Sequence, residues 1–150
     1  AKNIAANIIK SRRKRRIITC GQLSEIIYSS IPFAARRTGG NPSKRTFQAI
    51  RIEVNGELDN LNAIEDIIEA LKSGGRLAVI TFHSLEDRIV KTKINNLAQG
   101  CICPPKTPIC ICGNRPKVIK VTRKPITAQQ SEIEKNKRSQ SAKLRVCQKI

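Results

Sequence analysis

Arg76-Leu-Ala-Val-Ile-Thr-Phe-His-Ser-Leu-Glu-Asp-Arg88 is the stretch on which the reading of the fold turns. Gly74-Gly75 leads into it, and Leu77 to Phe82 is an apolar run of strand length and strand composition. His83-Ser84-Leu85-Glu86-Asp87-Arg88 follows, with four ionisable groups in six residues. A buried strand that opens onto such a polar cluster is how α/β enzymes build sites at the carboxyl ends of their strands. On the upstream side Ala63, Ile64, Ile67, Ile68 and Leu71 recur at helical spacing. The order is therefore helix, Gly-Gly turn, strand, polar loop, helix, which is half of a doubly wound α/β unit.

Downstream, Leu85, Ile89, Val90, Ile94 and Leu97 give the next helix its apolar face, with Ser84 as its predicted cap and Asp87 at its positive end. Residues 100–116 are rich in Cys, Pro and Gly and are predicted to be irregular. Lys117 to Val121 reads as a strand, and Thr127 with Gln130 as a capping box for a short helix. Ala142, Leu144 and Val146 alternate with Lys143, Arg145 and Lys149, which predicts a half-buried final strand. Two such late strands suit an antiparallel edge on a mostly parallel sheet. Upstream, Ile4, Ala5, Ile8 and Ile9 mark a first helix. Thr19 with Gln22 caps a second, which Pro32 ends. Residues 32–44 read as a polar loop. Phe47, Ile50, Val54, Leu58 and Leu61 predict a long helix over 45–61, weakened at Gly56 by up to ~1 kcal/mol relative to Ala.

Four stretches carry a resemblance. Phe82-His83-Ser84-Leu85-Glu86-Asp87-Arg88-Ile89-Val90-Lys91 resembles a signature of the bacterial small-subunit rRNA cytosine-N4 methyltransferases, the MraW or RsmH type. Three others match the same family in the same order: Arg45-Thr-Phe-Gln-Ala-Ile-Arg-Ile52 with Val54-Asn55 and Glu57-Leu58, the run from Cys101 to Gly113, and Asn136-Lys-Arg-Ser-Gln-Ser-Ala-Lys-Leu-Arg145. The resemblance implies a Rossmann-like methyltransferase sheet with a helical domain inserted part-way along it. On that reading residues 1–60 belong to the helical insertion and residues 61–150 are the carboxyl-terminal part of the methyltransferase domain. It also implies the activity: methylation of the N4 amine of a cytidine near the ribosomal decoding centre, with S-adenosyl-L-methionine as methyl donor. In the family the cofactor-binding half precedes the region matched here and carries a Gly-rich loop. No G-x-G-x-x-G occurs among the glycines of this chain. The chain is thus expected to be a carboxyl-terminal portion that is inactive alone. The complete absence of Met fits a piece of a longer chain.

Charge separates the chain into three zones. The formal net charge is +18 over 150 residues. Residues 1–50 hold eleven Lys and Arg against one Glu, residues 51–100 six against eight Asp and Glu, and residues 101–150 twelve against two Glu. A near-neutral centre between two basic flanks attracts a polyanion. Aromatics are only 3%, which argues against a base-stacking platform. No run approaches the ~18 consecutive apolar residues of a membrane span, and no signal peptide is evident at the start. Six cysteines in so basic a chain read as reduced thiols, so a cytoplasmic location is expected.

The residues singled out each have a bland reading beside the chemical one. His83, Ser84, Glu86 and Asp87 are the substrate-pocket candidates; the alternative is a helix cap with surface ion pairs. No catalytic base is assigned, and no cofactor-binding residue is expected here. Arg12, Arg13, Arg15 and Arg16, with Arg36, Arg37, Lys44, Arg45 and Arg51, are the candidates for holding RNA phosphates, and Gln48 shares a stripe with Arg45 and Arg51. The alternative is a solvated basic face. Cys101, Cys103, Cys110 and Cys112 supply enough thiols for a tetrahedral zinc site, although the spacing is not the usual C-x2-C. Here the alternative is a rigid Pro-rich loop with small buried thiols.

The expected partner is small-subunit rRNA within the small ribosomal subunit, with no membrane role and a homodimer left open. The rival, from a different class, is a non-catalytic basic RNA-binding or ribosome-associated protein. A third reading is a small zinc-binding RNA module on residues 101–113, which leaves the acidic centre unexplained. Residues 74–91 discriminate, because a binding module has no need of a strand-end His-Ser-Leu-Glu-Asp cluster.

Overall fold

The structure is a computed structural model that describes residues 1–36, 41–104 and 109–150. It divides into two units, Ala1–Asn55 and Gly56–Ile150.

The first unit is helical: α1 (Lys2–Lys14), α2 (Cys20–Ser29), α3 (Phe33–Arg36) and α4 (Ser43–Asn55). The predicted cap of α2 forms. Thr19 Oγ1 accepts the Gln22 amide at 3.2 Å, and Gln22 Oε1 accepts the Thr19 amide at 3.2 Å. Asn7 of α1 donates to the Ser30 hydroxyl just past α2 at 2.9 Å, and Ile27 is fully buried. Two expectations are corrected. The stretch read as a polar loop contains α3 directly after Pro32, and the start of α4. The helix expected over 45–61 stops at Asn55. Gly56 has φ +60°, a left-handed conformation that costs little without a Cβ. The glycine ends the helix instead of weakening its middle.

The second unit begins with a 3₁₀ turn (Asp59–Ala63) that runs into α5 (Ile64–Ala70). Then come β1 (Arg76–Thr81), α6 (Ser84–Leu97), β2 (Val118–Lys120), β3 (Ile126–Thr127), α7 (Gln130–Lys135), a second 3₁₀ turn (Lys137–Ser141) and β4 (Lys143–Lys149). Both glycines before β1 are required, for different reasons. Gly74 has φ +81°, and a Cβ on Gly75 would lie 2.8 Å from the Lys72 carbonyl oxygen. The Thr127–Gln130 capping box does not form: Thr127 is in β3, and α7 begins after Gln129 with no side-chain cap.

The sheet order is β1-β4-β2, with β3 also on β4, and every pairing is antiparallel. β1 and β2 both run against β4 and hence point the same way, joined by α6. The fold is therefore mixed α/β. The mostly parallel sheet expected around the opening stretch is not found among the described strands, because β4 lies between the two co-directional ones. Ile64, Ile68, Val90, Ile94, Val118 and Cys147 form the core, with Leu61, Leu77, Val79, Leu97 and Ala98 packed against it.

The final strand reverses the predicted faces. Arg145 and Cys147 are buried, whereas Leu144 and Val146 are only partly covered. In register, Leu77 faces Cys147, Val79 faces Arg145 and Thr81 faces Lys143. This side packs on α6 and the core. The other side presents Ala78, Ile80, Leu144, Val146, Ile119 and Ile126. Ile80 is 59% exposed, Ile119 52% and Ile126 54%. No helix of the described residues is long and apolar enough to cross a membrane.

Candidate functional site

The carboxyl end of β1 and the first turn of α6 make one polar cluster. The predicted cap, Ser84, is the first helical residue and is exposed. The capping residue is His83. Its Nδ1 accepts the Glu86 amide at 3.3 Å. Glu86 reaches back, its Oε2 accepting the amides of Phe82 at 2.9 Å and His83 at 3.1 Å. This is a capping box with an imidazole in place of the usual hydroxyl. The Glu86 carboxylate is thus part of the cap.

The cap sets the histidine's tautomer. A ring nitrogen that accepts an amide hydrogen carries none, so in the neutral ring the proton resides on Nε2. His83 Nε2 is buried, without a hydrogen-bond partner in good geometry. It lies 3.3 Å from Glu86 Oε1 and 3.7 Å from Glu57 Oε2. Glu57 comes from the turn that Gly56 opens. The resulting trio is a polar N–H held between two carboxylates at the end of a strand. Sequence reading did not single out Glu57 as a site residue. Its approach to His83 depends on the turn that follows Gly56, and helical periodicity had placed it within a continuing helix.

Asp87 has a different environment. It is buried, and Arg145 grips it with two bonds, Nε to Oδ1 at 2.7 Å and Nη2 to Oδ2 at 3.2 Å. Lys143 Nζ adds a third contact to Oδ2 at 3.3 Å. The Arg145 hydrogen bond holds the Asp87 carboxyl below its ordinary value against the opposing effect of burial, with Lys143 assisting. Asp87 thus ties the first turn of α6 to β4, and both of its carboxylate oxygens are engaged by that strand.

The RNA-binding candidates lie in varied settings. Arg12 and Arg13 occupy the last turn of α1, with Arg15 and Arg16 just beyond, and all four are exposed. Lys44, Arg45 and Arg51 are exposed on α4, with Gln48 partly covered. Arg36 is engaged internally: Nε donates to the Ile31 carbonyl at 2.8 Å, and the guanidinium lies 4.6 Å from the Tyr28 ring centre. Arg37 lies outside the described residues.

Cys101, Cys103, Cys110 and Cys112 converge, with all four Sγ atoms within 4.8 Å of one another. The Cys112 thiol is brought down to about 6 by backbone amides at Ile102 and Asn114. The Cys103 amide acts to lower Cys101, but the neighbouring thiols of Cys110, Cys103 and Cys112 push it up to about 11. Pro105, Lys106, Thr107 and Pro108, inside this loop, lie outside the described residues.

Comparison with known proteins places this geometry in context. The sequence matches the MraW methylase family over residues 1–150. It is 55% identical over 150 residues to Ribosomal RNA small subunit methyltransferase H 2 of Agathobacter rectalis, covering 99% of this chain and 48% of that protein. It is 54% identical over 151 residues to Ribosomal RNA small subunit methyltransferase H of Brevibacillus brevis, covering 100% of this chain and 48% of the relative. The protein of the same name from Heliobacterium modesticaldum is also 54% identical, with the same coverage. The chain spans about half the length of the curated relatives it matches.

Proposed function

The chain belongs to the MraW methylase family, and from that premise we propose that it is the carboxyl-terminal portion of an S-adenosyl-L-methionine-dependent methyltransferase acting on small-subunit rRNA. The target is the N4 amine of a cytidine near the decoding centre, and the setting is cytoplasmic. The observation that carries this reading is the His83–Glu57–Glu86 trio at the carboxyl end of β1. That is where open α/β sheets hold their ligands.

Among the described residues the positive-φ glycines, Gly56, Gly74 and Gly113, sit in three separate turns. On this reading the methyl donor is held by the part of the relatives that this chain does not match, and no step through it is assigned to residues here. The sheet supports the same division. Among the described residues β1 pairs only with β4, so its other edge is available to a further strand. The apolar side bearing Ile80, Ile119 and Ile126 suits covering helices. Completed in that way, the sheet becomes Rossmann-like, with residues 61–150 as its carboxyl-terminal part and residues 1–60 within a helical insertion.

The role proposed for the trio is positioning. An exocyclic amine must turn its lone pair toward the methyl group, and a carboxylate that accepts an amine hydrogen orients it. Glu57 and the outer oxygen of Glu86 have the required character, and His83 Nε2 lies between them. The basic residues of α1 and α4 supply phosphate contacts that fix the RNA.

The test joins this chain to the preceding half of the Agathobacter rectalis relative. The hybrid should transfer labelled methyl groups to small ribosomal subunits, and the 150-residue chain alone should neither do so nor bind S-adenosyl-L-methionine in calorimetry. A folded, cofactor-binding hybrid that leaves the subunit unmethylated would overturn the reading in favour of a basic RNA-binding module. Neutralising Arg12, Arg13, Arg15 and Arg16 should flatten the salt dependence of RNA binding by about 0.7–0.9 in log–log slope per lost phosphate contact.

A further inference from the structure

The segment from Cys101 to Cys112 has its hydrophobic pattern inside out. Ile102 is 58% exposed, Ile109 76% and Ile111 84%. The thiols on the alternate positions face one another. A loop folded by hydrocarbon burial would do the reverse, turning its isoleucines in. The alternative of small buried thiols is also excluded: Cys101 and Cys110 are exposed and Cys103 and Cys112 only partly covered. The sulfurs organise this loop, and burial does not.

We infer that Cys101, Cys103, Cys110 and Cys112 form a tetrahedral thiolate site for a soft divalent metal ion, zinc in the first instance. The sulfur spacings are 3.5 Å for Cys110–Cys112, 3.8 Å for Cys112–Cys101 and 4.0 Å for Cys103–Cys110. Four Zn–S bonds of about 2.3 Å at tetrahedral angles place the sulfurs about 3.8 Å apart. These three spacings thus already match the edges of the coordination shell, and the whole set lies within 4.8 Å. No pair is disulfide-bonded.

The surrounding backbone is built for the same purpose. The Ile102 amide donates to Cys112 Sγ at 3.4 Å and the Cys103 amide to Cys101 Sγ at 3.4 Å, bonds that favour the thiolate over the thiol. Gly113, at φ +62°, turns the chain immediately after Cys112. Asn114 Nδ2 then donates to the carbonyls of Gln99 at 3.0 Å and Gly100 at 2.6 Å, and the Lys117 amide to the Leu97 carbonyl at 2.8 Å. Both ends of the loop are fixed to the end of α6. Four thiolates around one divalent ion leave a site of net charge −2, in the basic third zone of the chain. This inference is independent of the methylase reading.

Purified under reducing conditions without chelator, the 150-residue chain should carry about one zinc per molecule by elemental analysis. Replacing the zinc with cobalt(II) should give the intense visible bands of tetrahedral thiolate coordination. Cys112→Ser and Cys103→Ser should each lower the retained metal at least tenfold. Cys20→Ser, whose thiol lies in α2, should leave it unchanged. Wild-type chain whose four clustered thiols react equally freely with a thiol reagent before and after zinc is added would overturn the inference. So would metal retained at full stoichiometry by both cluster variants. If the variants do not fold, the cobalt titration of the wild-type chain decides.

Discussion

The two faces of the small sheet differ from what a simple amphipathic strand suggests: charge is concentrated on the inner one and large exposed hydrocarbon on the outer. The face against α6 sets Lys143, Arg145, Thr81 and Lys149 among Leu77, Val79, Val118 and Cys147. The open face is mostly hydrocarbon, Ala78, Ile80, Leu144, Val146, Ile119 and Ile126, with the hydrogen-bonded Arg76 and Gln148 at one end. The charges on the inner face are tolerable because each is met. Arg145 and Lys143 hold Asp87, and Lys149 Nζ donates to the carbonyls of Glu69 and Leu71 at 2.7 Å each, at the carboxyl end of α5. Charge on the inner face locks elements of this unit to one another, whereas hydrocarbon on the outer face is directed at something beyond the unit. The first should be costly to disturb in the chain as it stands and the second nearly free.

Arg145→Ala should be the most damaging single change. It leaves Asp87 buried without its main partner, and breaking a buried pair from one side costs about 3–5 kcal/mol. Urea denaturation monitored by circular dichroism reads this directly. A loss under about 0.5 kcal/mol, the scale of ordinary surface substitutions, would mean the inner face is not held by charge. The same bond should show in acid. The Asp87 carboxyl is lowered in the fold by Arg145. Its stabilisation is therefore complete above the unfolded carboxylate value of about 4 and is lost as pH falls through the lower folded value. Wild-type stability should decline below about pH 4, and the decline should be shallower in Arg145→Ala.

Next in size is the helix cap. Glu86→Ala removes the acceptor of the Phe82 and His83 amides and should cost about 1 kcal/mol, in the range of lost capping interactions. Glu86→Gln keeps one amide oxygen to accept and should cost less. In the hybrid enzyme, a fall in methylation well beyond the fraction unfolded would separate a role at the site from the cap. Activity tracking the folded fraction would leave Glu86 as a cap alone.

The smallest stability effect belongs to the open face. Ile80→Lys combined with Ile119→Lys should change the stability of the chain by no more than about 0.5 kcal/mol per site. It should nevertheless reduce binding of a hydrophobic dye and prevent assembly of the chain with the preceding half of a relative supplied separately. Substantial unfolding by this double change would show that the face is already packed and would erase the contrast.

What the sequence by itself determined were the features written in local periodicity and chain chemistry. α5 and α6 appear at their apolar spacings, β1 at its six-residue run, and the Thr19–Gln22 cap at the end of α2's approach. These depend on contacts within a few residues, where the alternatives are few. The family, too, was legible in the four ordered motifs. Only the tertiary structure decided the rest. Gly56 could have sat inside a helix, and its left-handed φ was selected by the turn that brings Glu57 to His83. Ser84 and His83 were both able to cap α6, and the imidazole took the position from which Nδ1 reaches the Glu86 amide. β4 could expose either side, since alternation marks two faces without saying which is inward. Pairing with Asp87 turned the charged side in, because a charge meeting its counter-charge loses the desolvation penalty that otherwise keeps it in water.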